Sequence, residues 1–391
     1  MKFLHLSDLH IGKVVNNFPM IPEQKHAFAQ IIDYIKTTSP AAVVIAGDVY
    51  DRAIPSVEAV RVFDDFLTQL AHQNIAVILI SGNHDSPERI NYASRLLADK
   101  HIYFYGAFDG TMRKVTLSDE YGEVNFWLLP FIKPASVRGL LSLTCDETED
   151  ETEKEIETYD QAIAAAIETA KIDYTARNVL VSHQFYTKTG INPIQSDSEL
   201  NPVGGLDAID TEIIENFDYI ALGHLHANQR VGAEHIRYCG SPIKYSFSEY
   251  QHKKSITLVE LGEKGDLTTT ALPLTPLHDM RKLKGKLEIL LSGELPEQGS
   301  NEDYMHITLT NEDEIVDPMG KLRSIYPNIM HLGFENSRTD AATSIMTDSE
   351  TIKKLSDYEL FAQFFLEAQG STMSEDQAEI IRQLLDRVDE E

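Results

Sequence analysis

The chain is short of cysteine, short of positive charge and without long apolar runs, and each shortage removes a class of protein. Its two cysteines, Cys145 and Cys239, can build neither a disulfide framework nor a thiolate metal cluster. A reducing, cytoplasmic setting is the simplest expectation. No apolar stretch approaches the roughly 20 residues needed to span a bilayer, so no membrane association is expected. The opening MKFLHLSDLH reads as a buried strand that ends in polar residues, not as a signal peptide. Lys and Arg number 34 against 62 Asp and Glu, a formal net charge of -28. A surface that binds nucleic acid unaided clusters Lys and Arg to displace counterions. Much of the acid lies in one tract, Asp146 to Asp160, which reads as a solvated loop running into a helix. Divalent cations would invert the field of an acidic pocket. The charge balance therefore tells against unaided DNA binding and points to bound metal and a basic partner subunit. Internal repeats and Gly/Ser-rich linkers are absent too.

What is present is a core. Hydrophobic residues make up 42% of 391 residues, enough for two domains and an appendage. In the first half, β-rich runs at 2–6, 42–46, 76–80 and 101–105 alternate with helical patterns at 22–36, 56–72 and 86–98. Further strands are predicted at 124–129, 179–182, 219–222, 236–239 and 255–261, with an amphipathic helix at 159–171. This order predicts a layered α/β domain over residues 1–275, its mixed sheets sandwiched between helices. Residues 276–355 read as a smaller α/β unit with strands at 287–291 and 305–309 and a helix at 319–325. It opens on a basic cluster, Arg281, Lys282, Lys284 and Lys286, which suits either phosphate contact or a solvated domain boundary. Residues 356–391 read as two short amphipathic helices. Ser356 with Glu359, and Ser374 with Gln377, each set a capping pattern before an apolar stripe.

Five motifs carry chemistry: Asp8-x-His10, Gly47-Asp48, Gly82-Asn83-His84, His183 and Gly223-His224-x-His226. Each follows a predicted strand, and strand ends at one sheet edge are where α/β folds gather sites from distant sequence. Asp8 and His10 are two apart, as are His224 and His226, so an extended backbone would aim each pair to one side. The preceding glycines permit sharp turns. Carboxylate, imidazole and carboxamide ligands without thiolate suit Mn, Fe or Zn better than Mg or Ca. Seven candidate ligands exceed what one ion takes and divide between two, with one carboxylate bridging.

These motifs, within the strings HLSDLHIGK, AGDVYDRAIPS, SGNHDSPERI, SHQF, FDYIALGHLH and YCGSPIKYSF, resemble the calcineurin-like metallophosphoesterase superfamily. Within it they resemble the family of nuclease subunits of bacterial SbcCD-type complexes, and more loosely so towards the C-terminus. The resemblance implies a four-layer α/β/β/α sandwich with a smaller α/β capping domain, at 276–355, that recognises DNA. It implies that Asp8, His10 and His226 hold one ion, that Asn83, His183 and His224 hold a second, and that Asp48 bridges them. His84 would face the substrate and protonate or stabilise the leaving oxygen. Manganese is the ion implied. So are ATP-dependent 3′–5′ double-strand exonuclease and single-strand or hairpin endonuclease activities, in DNA recombination, replication and repair. The implied partners are DNA and an SbcC-like ATPase with a coiled coil, which the helices of 356–391 would dock, around a homodimer within a heterotetramer.

Other readings stand beside these. A small-molecule or protein phosphoesterase could use the same scaffold and metals, since a fold does not fix a substrate. A non-catalytic scaffold would have lost ligands, and none is lost. His5 and His26 read as core or surface groups, and Asp51 and Arg52 as loop-shaping. Asp85 either orients His84 or forms a turn before Pro87, and Gly204-Gly205 reads as a turn.

Overall fold

A computed structural model describes residues 1–142, 156–191, 193–199, 207–292, 299–336 and 373–388, together with 358, 359, 361, 362 and 365. The acidic tract up to residue 155, Gly204-Gly205 and most of the first C-terminal helix pattern lie outside the described residues. The chain divides into two compact units, Met1–Leu277 and His278–Glu391.

The first unit holds two six-stranded sheets. The first contains Lys2–Leu6 (β1), Ala42–Ala46 (β2), Ala76–Ile80 (β3) and Ile102–Tyr105 (β4). The second contains Arg113–Asp119 (β5), Gly122–Leu129 (β6), Arg177–His183 (β7), Tyr219–Gly223 (β8), Gln229–Val231 (β9) and Ala233–Tyr238 (β10). The chain then returns to complete the first sheet with Ser255–Leu261 (β11) and Leu267–Pro273 (β12). The strand orders are β12-β11-β1-β2-β3-β4 and β9-β10-β8-β7-β6-β5. The strands run parallel from β1 to β4 and through β6, β7, β8 and β10, with antiparallel strands at the β11-β12 edge of the first sheet and at both edges of the second.

Alternation along the strands separates three apolar layers. Leu4, Leu6, Val43 and Ile45 point outward, where helices Ile21–Thr38 (α1) and Val57–His72 (α2) cover them with Phe28, Ile31, Phe63 and Phe66. Phe3, Val44, Ile78, Phe126, Val179 and Tyr219 fill the space between the sheets. Leu180, Ile220 and Leu222 face helices Pro134–Ser142 (α3) and Tyr159–Ala170 (α4), which contribute Val137, Ile163 and Ala166. The result is the expected α/β/β/α sandwich. Strands β2 and β3 are buried on both faces, which is why AVVIA and AVILI are continuous apolar runs.

Local signals place the helices. The Ser56 side chain accepts the Ala59 N–H at 3.1 Å and starts α2. Thr158 and Gln161 form a reciprocal capping box at the start of α4, and Lys171 ends it in a left-handed conformation. The helix expected over 86–98 is two, Pro87–Asn91 and Ser94–Ala98. Tyr92 leaves helical backbone and Ala93 turns left-handed at φ 59°, so the apolar pattern continues across a break.

In the second unit Met280–Gly285 (β13), Tyr304–Leu309 (β14) and Ile329–Phe334 (β15) form a parallel sheet. One expectation is corrected here. The run Leu287–Leu291, expected as a strand, is a helix: Leu287 and Leu290 are buried with helical spacing while Ile289 is exposed. The basic cluster, read as suiting phosphate contact or a solvated domain boundary, lies just after the start of the second unit and largely forms β13. Arg281 and Leu283 are buried on one face and Lys282 and Lys284 are exposed on the other. A final helix, Glu375–Val388, is capped by Ser374, whose Oγ accepts the Gln377 N–H at 3.3 Å.

Candidate metal centre

Every candidate residue sits at the C-terminal end of a parallel strand. Asp8 and His10 follow β1, Asp48 follows β2, and Asn83 and His84 follow β3. His183 ends β7, while His224 and His226 follow β8. One sheet thus contributes the carboxylates, the carboxamide and two imidazoles, and the other contributes three imidazoles.

The backbone that aims them is not the extended one expected. Asp8 and His10 are left-handed, at φ 52° and 40°, as are Asp48 at 51° and His224 at 108°. Non-glycine residues adopt this region at a cost and cluster where a site demands it. Gly47 turns as expected, at φ 85°, whereas Gly82 and Gly223 serve close approach. A Cβ on Gly82 would lie 2.1 Å from Asp48 Oδ1, and one on Gly223 would lie 2.0 Å from the Ala46 carbonyl oxygen.

The side chains converge. His10 Nε2 lies 3.2 Å from His226 Nε2 and 3.6 Å from Asp48 Oδ2. His183 Nε2 lies 3.3 Å from Asp48 Oδ2 and 3.1 Å from Asn83 Oδ1, which is itself 3.2 Å from His224 Nδ1. Three overlapping groups have ligand atoms within 4.8 Å of one another: Asp8, His10 and His226; His10, Asp48 and His84; and Asp8, Asp48 and His183. Asp8 and Asp48 occur in two groups each, so the carboxylates lie between histidine sets drawn from both sheets. His84 reaches the cluster too. Its Nδ1 is 3.0 Å from the Asp51 carbonyl oxygen, and its backbone N–H donates to Asp48 Oδ1 at 2.9 Å.

Electrostatics fit a cation. Asp8, His10, Asp48, His183 and His226 are buried. Burial raises the Asp8 carboxyl above its usual range and lowers the His224 imidazole to about 3. Burial alone would lower His183 as well, but the charge and hydrogen bond of Asp48, with Asp8, raise it to about 9. His10 Nδ1 is buried without a hydrogen-bond partner. Oxygen and imidazole donors packed against one another in this way suit a borderline divalent ion.

Further groups hold the centre in place, and of these the sequence points only to Asp85 and Asp51. Asp85 is buried, and its oxygens accept the backbone N–H groups of Val49, Tyr50 and Gly82 at 3.1, 3.0 and 3.0 Å. It ties the loop after β2 to the loop after β3, a firmer role than either expected. Asp51, read as shaping its loop or supporting the ligands, accepts Lys13 Nζ at 2.8 Å. Gln24 donates to the carbonyls of Leu9 and His10 at 3.2 and 2.7 Å. Tyr245 donates to the Leu9 carbonyl. Ser198, Glu199, Glu249 and Lys254 surround His226. None of these four lies within a ligand motif; the only clue to Glu249 and Lys254 is a charge of each sign just before a buried strand.

This architecture matches the calcineurin-like phosphoesterase family over residues 1–228, and the chain belongs to that family. Residues 276–369 match a C-terminal domain described as that of a type 5 capsule protein repressor. The SbcD subunit of the SbcCD nuclease from Staphylococcus epidermidis is 31% identical, across 98% of this chain and 98% of its own. Its counterpart from Staphylococcus saprophyticus is 30% identical, across 100% of this chain and 99% of its own. A dimetal phosphatase from Danio rerio, 11% identical, covers 71% of this chain and 97% of its own at a TM-score of 0.42. No described helix is long and apolar enough to cross a membrane.

Proposed function

We propose that this chain is the nuclease subunit of an SbcCD-type complex and hydrolyses DNA phosphodiester bonds with two divalent ions, manganese in the cell. The observation that carries this reading is the convergence of both sheets' ligands on Asp48, in a chain similar end to end to nuclease subunits. Asp8, His10 and His226 would hold one ion and Asn83, His183 and His224 the other, with Asp48 shared. When bound, such a pair supplies a Lewis acid for the phosphoryl oxygens and lowers the pKa of water.

The chain's own residues do the rest. The Asp51 carbonyl accepts His84 Nδ1–H, which leaves Nε2 as the nitrogen that exchanges a proton with a leaving oxygen. Partial exposure of His84, beside buried ligands, leaves it open to substrate. DNA contact by the second unit is supported by the exposed side of its sheet, which carries Lys282, Lys284 and His331 in an otherwise acidic chain. Assembly with a coiled-coil ATPase, as a homodimer within a heterotetramer, is supported by exposed apolar residues: Ile380 and Leu384 on the final helix, and Ile54, Val57 and Val60 around the start of α2.

The test supplies Mn²⁺ with linear duplex, single-stranded and hairpin DNA and, separately, with p-nitrophenyl phosphate and cyclic nucleotides, with and without the ATPase. DNA cleavage that turns ATP-dependent on duplex ends when the ATPase is present is the expected result. Turnover of the small esters alone would assign the scaffold to a phosphatase instead.

A further inference from the structure

His226 differs from the other candidate imidazoles in what stands behind it. Its Nδ1 lies 2.8 Å from Ser198 Oγ, and that hydroxyl lies 2.5 Å from Glu249 Oε1. The direct distance from His226 Nδ1 to Glu249 Oε1, 3.5 Å, is too long for a good hydrogen bond, so the serine is the link. Glu249 is fully buried, and its other oxygen accepts Lys254 Nζ at 2.6 Å. Lys254 also donates to the His226 carbonyl and to Ser241 Oγ, each at 2.8 Å. Glu199 Oε1 accepts the His226 backbone N–H at 2.7 Å. His183, by contrast, meets only a backbone acceptor at its Nδ1, the Ala46 carbonyl at 2.7 Å.

Donor and acceptor rules fix the protons along this chain. A carboxylate paired with lysine only accepts, so the Ser198 hydroxyl hydrogen goes to Glu249. Its oxygen is then left to accept, and the donor must be His226 Nδ1–H. Nε2 is consequently the bare nitrogen, 3.2 Å from His10 Nε2, in the ligand group that also includes Asp8. We propose that Ser198 and Glu249 are positioning residues which, anchored by Lys254, hold His226 in the Nδ1-protonated tautomer and keep Nε2 free for a borderline divalent cation. This rests on the reading of His226 as a metal ligand. Neither residue touches the reacting atoms. Imidazole ligands whose far nitrogen is fixed by a carboxylate-containing network are more basic and better oriented, and losing that support costs about 10- to 100-fold in metal affinity.

The test uses the full chain with ¹⁵N-labelled histidine in EDTA, followed by titration with Mn²⁺. In the wild type the His226 ring nitrogens should report Nδ1–H alone. Ser198→Ala and Glu249→Gln should populate the Nε2–H form and weaken one of two Mn²⁺ ions about 10- to 100-fold. Ser198→Thr, which keeps the hydroxyl, should restore both readouts. Melting in EDTA screens for unfolding, and Glu249→Gln, close to the original volume, decides if Ser198→Ala melts early. Wild-type tautomer and Mn²⁺ affinity in both variants, beside a weakened His226→Gln, would overturn the relay. Unchanged affinity in His226→Gln would instead overturn the ligand reading itself.

Discussion

The roles proposed for His84 and His183 divide chemistry from metal binding, and a substitution at each tests that division. His183 Nε2 is fully buried among Asp48 and Asn83, whereas His84 is part-exposed with one nitrogen committed to Asp51. His84→Gln should keep two bound ions and lose on the order of 10²–10⁴ in rate. His183→Gln should lose affinity for one ion. Metal analysis of the purified variants beside rates on single-stranded DNA checks both, and a metal-depleted His84→Gln would reverse the division. Away from the centre, His5 makes a different prediction. It is fully buried on β1 with Nδ1 3.0 Å from the Tyr219 hydroxyl, and burial lowers its pKa from 6.5 to about 3. The unfolded chain therefore binds a proton near pH 6.5 that the folded chain refuses until near pH 3. Its contribution is fully present above pH 6.5 and fades as pH falls through that window, by roughly 3–5 kcal/mol in all. Urea midpoints in EDTA at pH 7 and pH 4 should fall less for His5→Phe than for the wild type. Equal falls would show that other groups set acid sensitivity.

At the scale of elements, Asp85 holds two loops to one another through three backbone N–H groups. Hydrogen bonds to a charged acceptor are the strong ones, and removing it strands buried donors. Asp85→Ala should lower stability by about 2–4 kcal/mol and weaken metal binding through the displaced Asp48 loop, read by melting with and without Mn²⁺. A variant with wild-type melting in both conditions would reduce Asp85 to an ordinary turn residue. The elements also show what was legible beforehand. Strands β1, β2, β3 and β11 have the predicted limits because apolar runs bounded by polar or turn residues leave few alternatives. Edge strands β5 and β12 were missed, since RKVTLSD and LTTTALP carry too little apolar content to stand out. Leu287–Leu291 was misread because a five-residue run with four apolar residues suits a buried strand or a helix equally. Spacing identified the motif residues around the centre, but not the left-handed backbone at Asp8 and His10, nor Glu249 and Lys254, which only tertiary contact reveals.

Across the whole molecule, the final helix presents Ile380 and Leu384 with half or more of their surface exposed. Apolar faces of this kind serve helix-in-groove contacts. A chain ended after Leu355 should fold, retain both ions and cut single strands. It should fail to co-purify with the ATPase and lose ATP-dependent duplex cleavage. Retention of the ATPase at full affinity would assign the helix to this chain's own packing.

The strand orders also bear on synthesis. Central strand β1 is made long before its antiparallel neighbour β11, which begins only at Ser255. At roughly 5–20 residues per second, a ribosome leaves β1 with one open edge for about 13–50 s. Asp8, Asp48 and Asn83 emerge in that interval, well before His183 and His224. With His10 and His84 from the same sheet, a nascent chain thus carries carboxylate, carboxamide and imidazole donors before the second sheet brings the other three imidazoles. An unpaired β-edge is a template for wrong pairing, so the interval before β11 arrives is when β1 is open to mispairing.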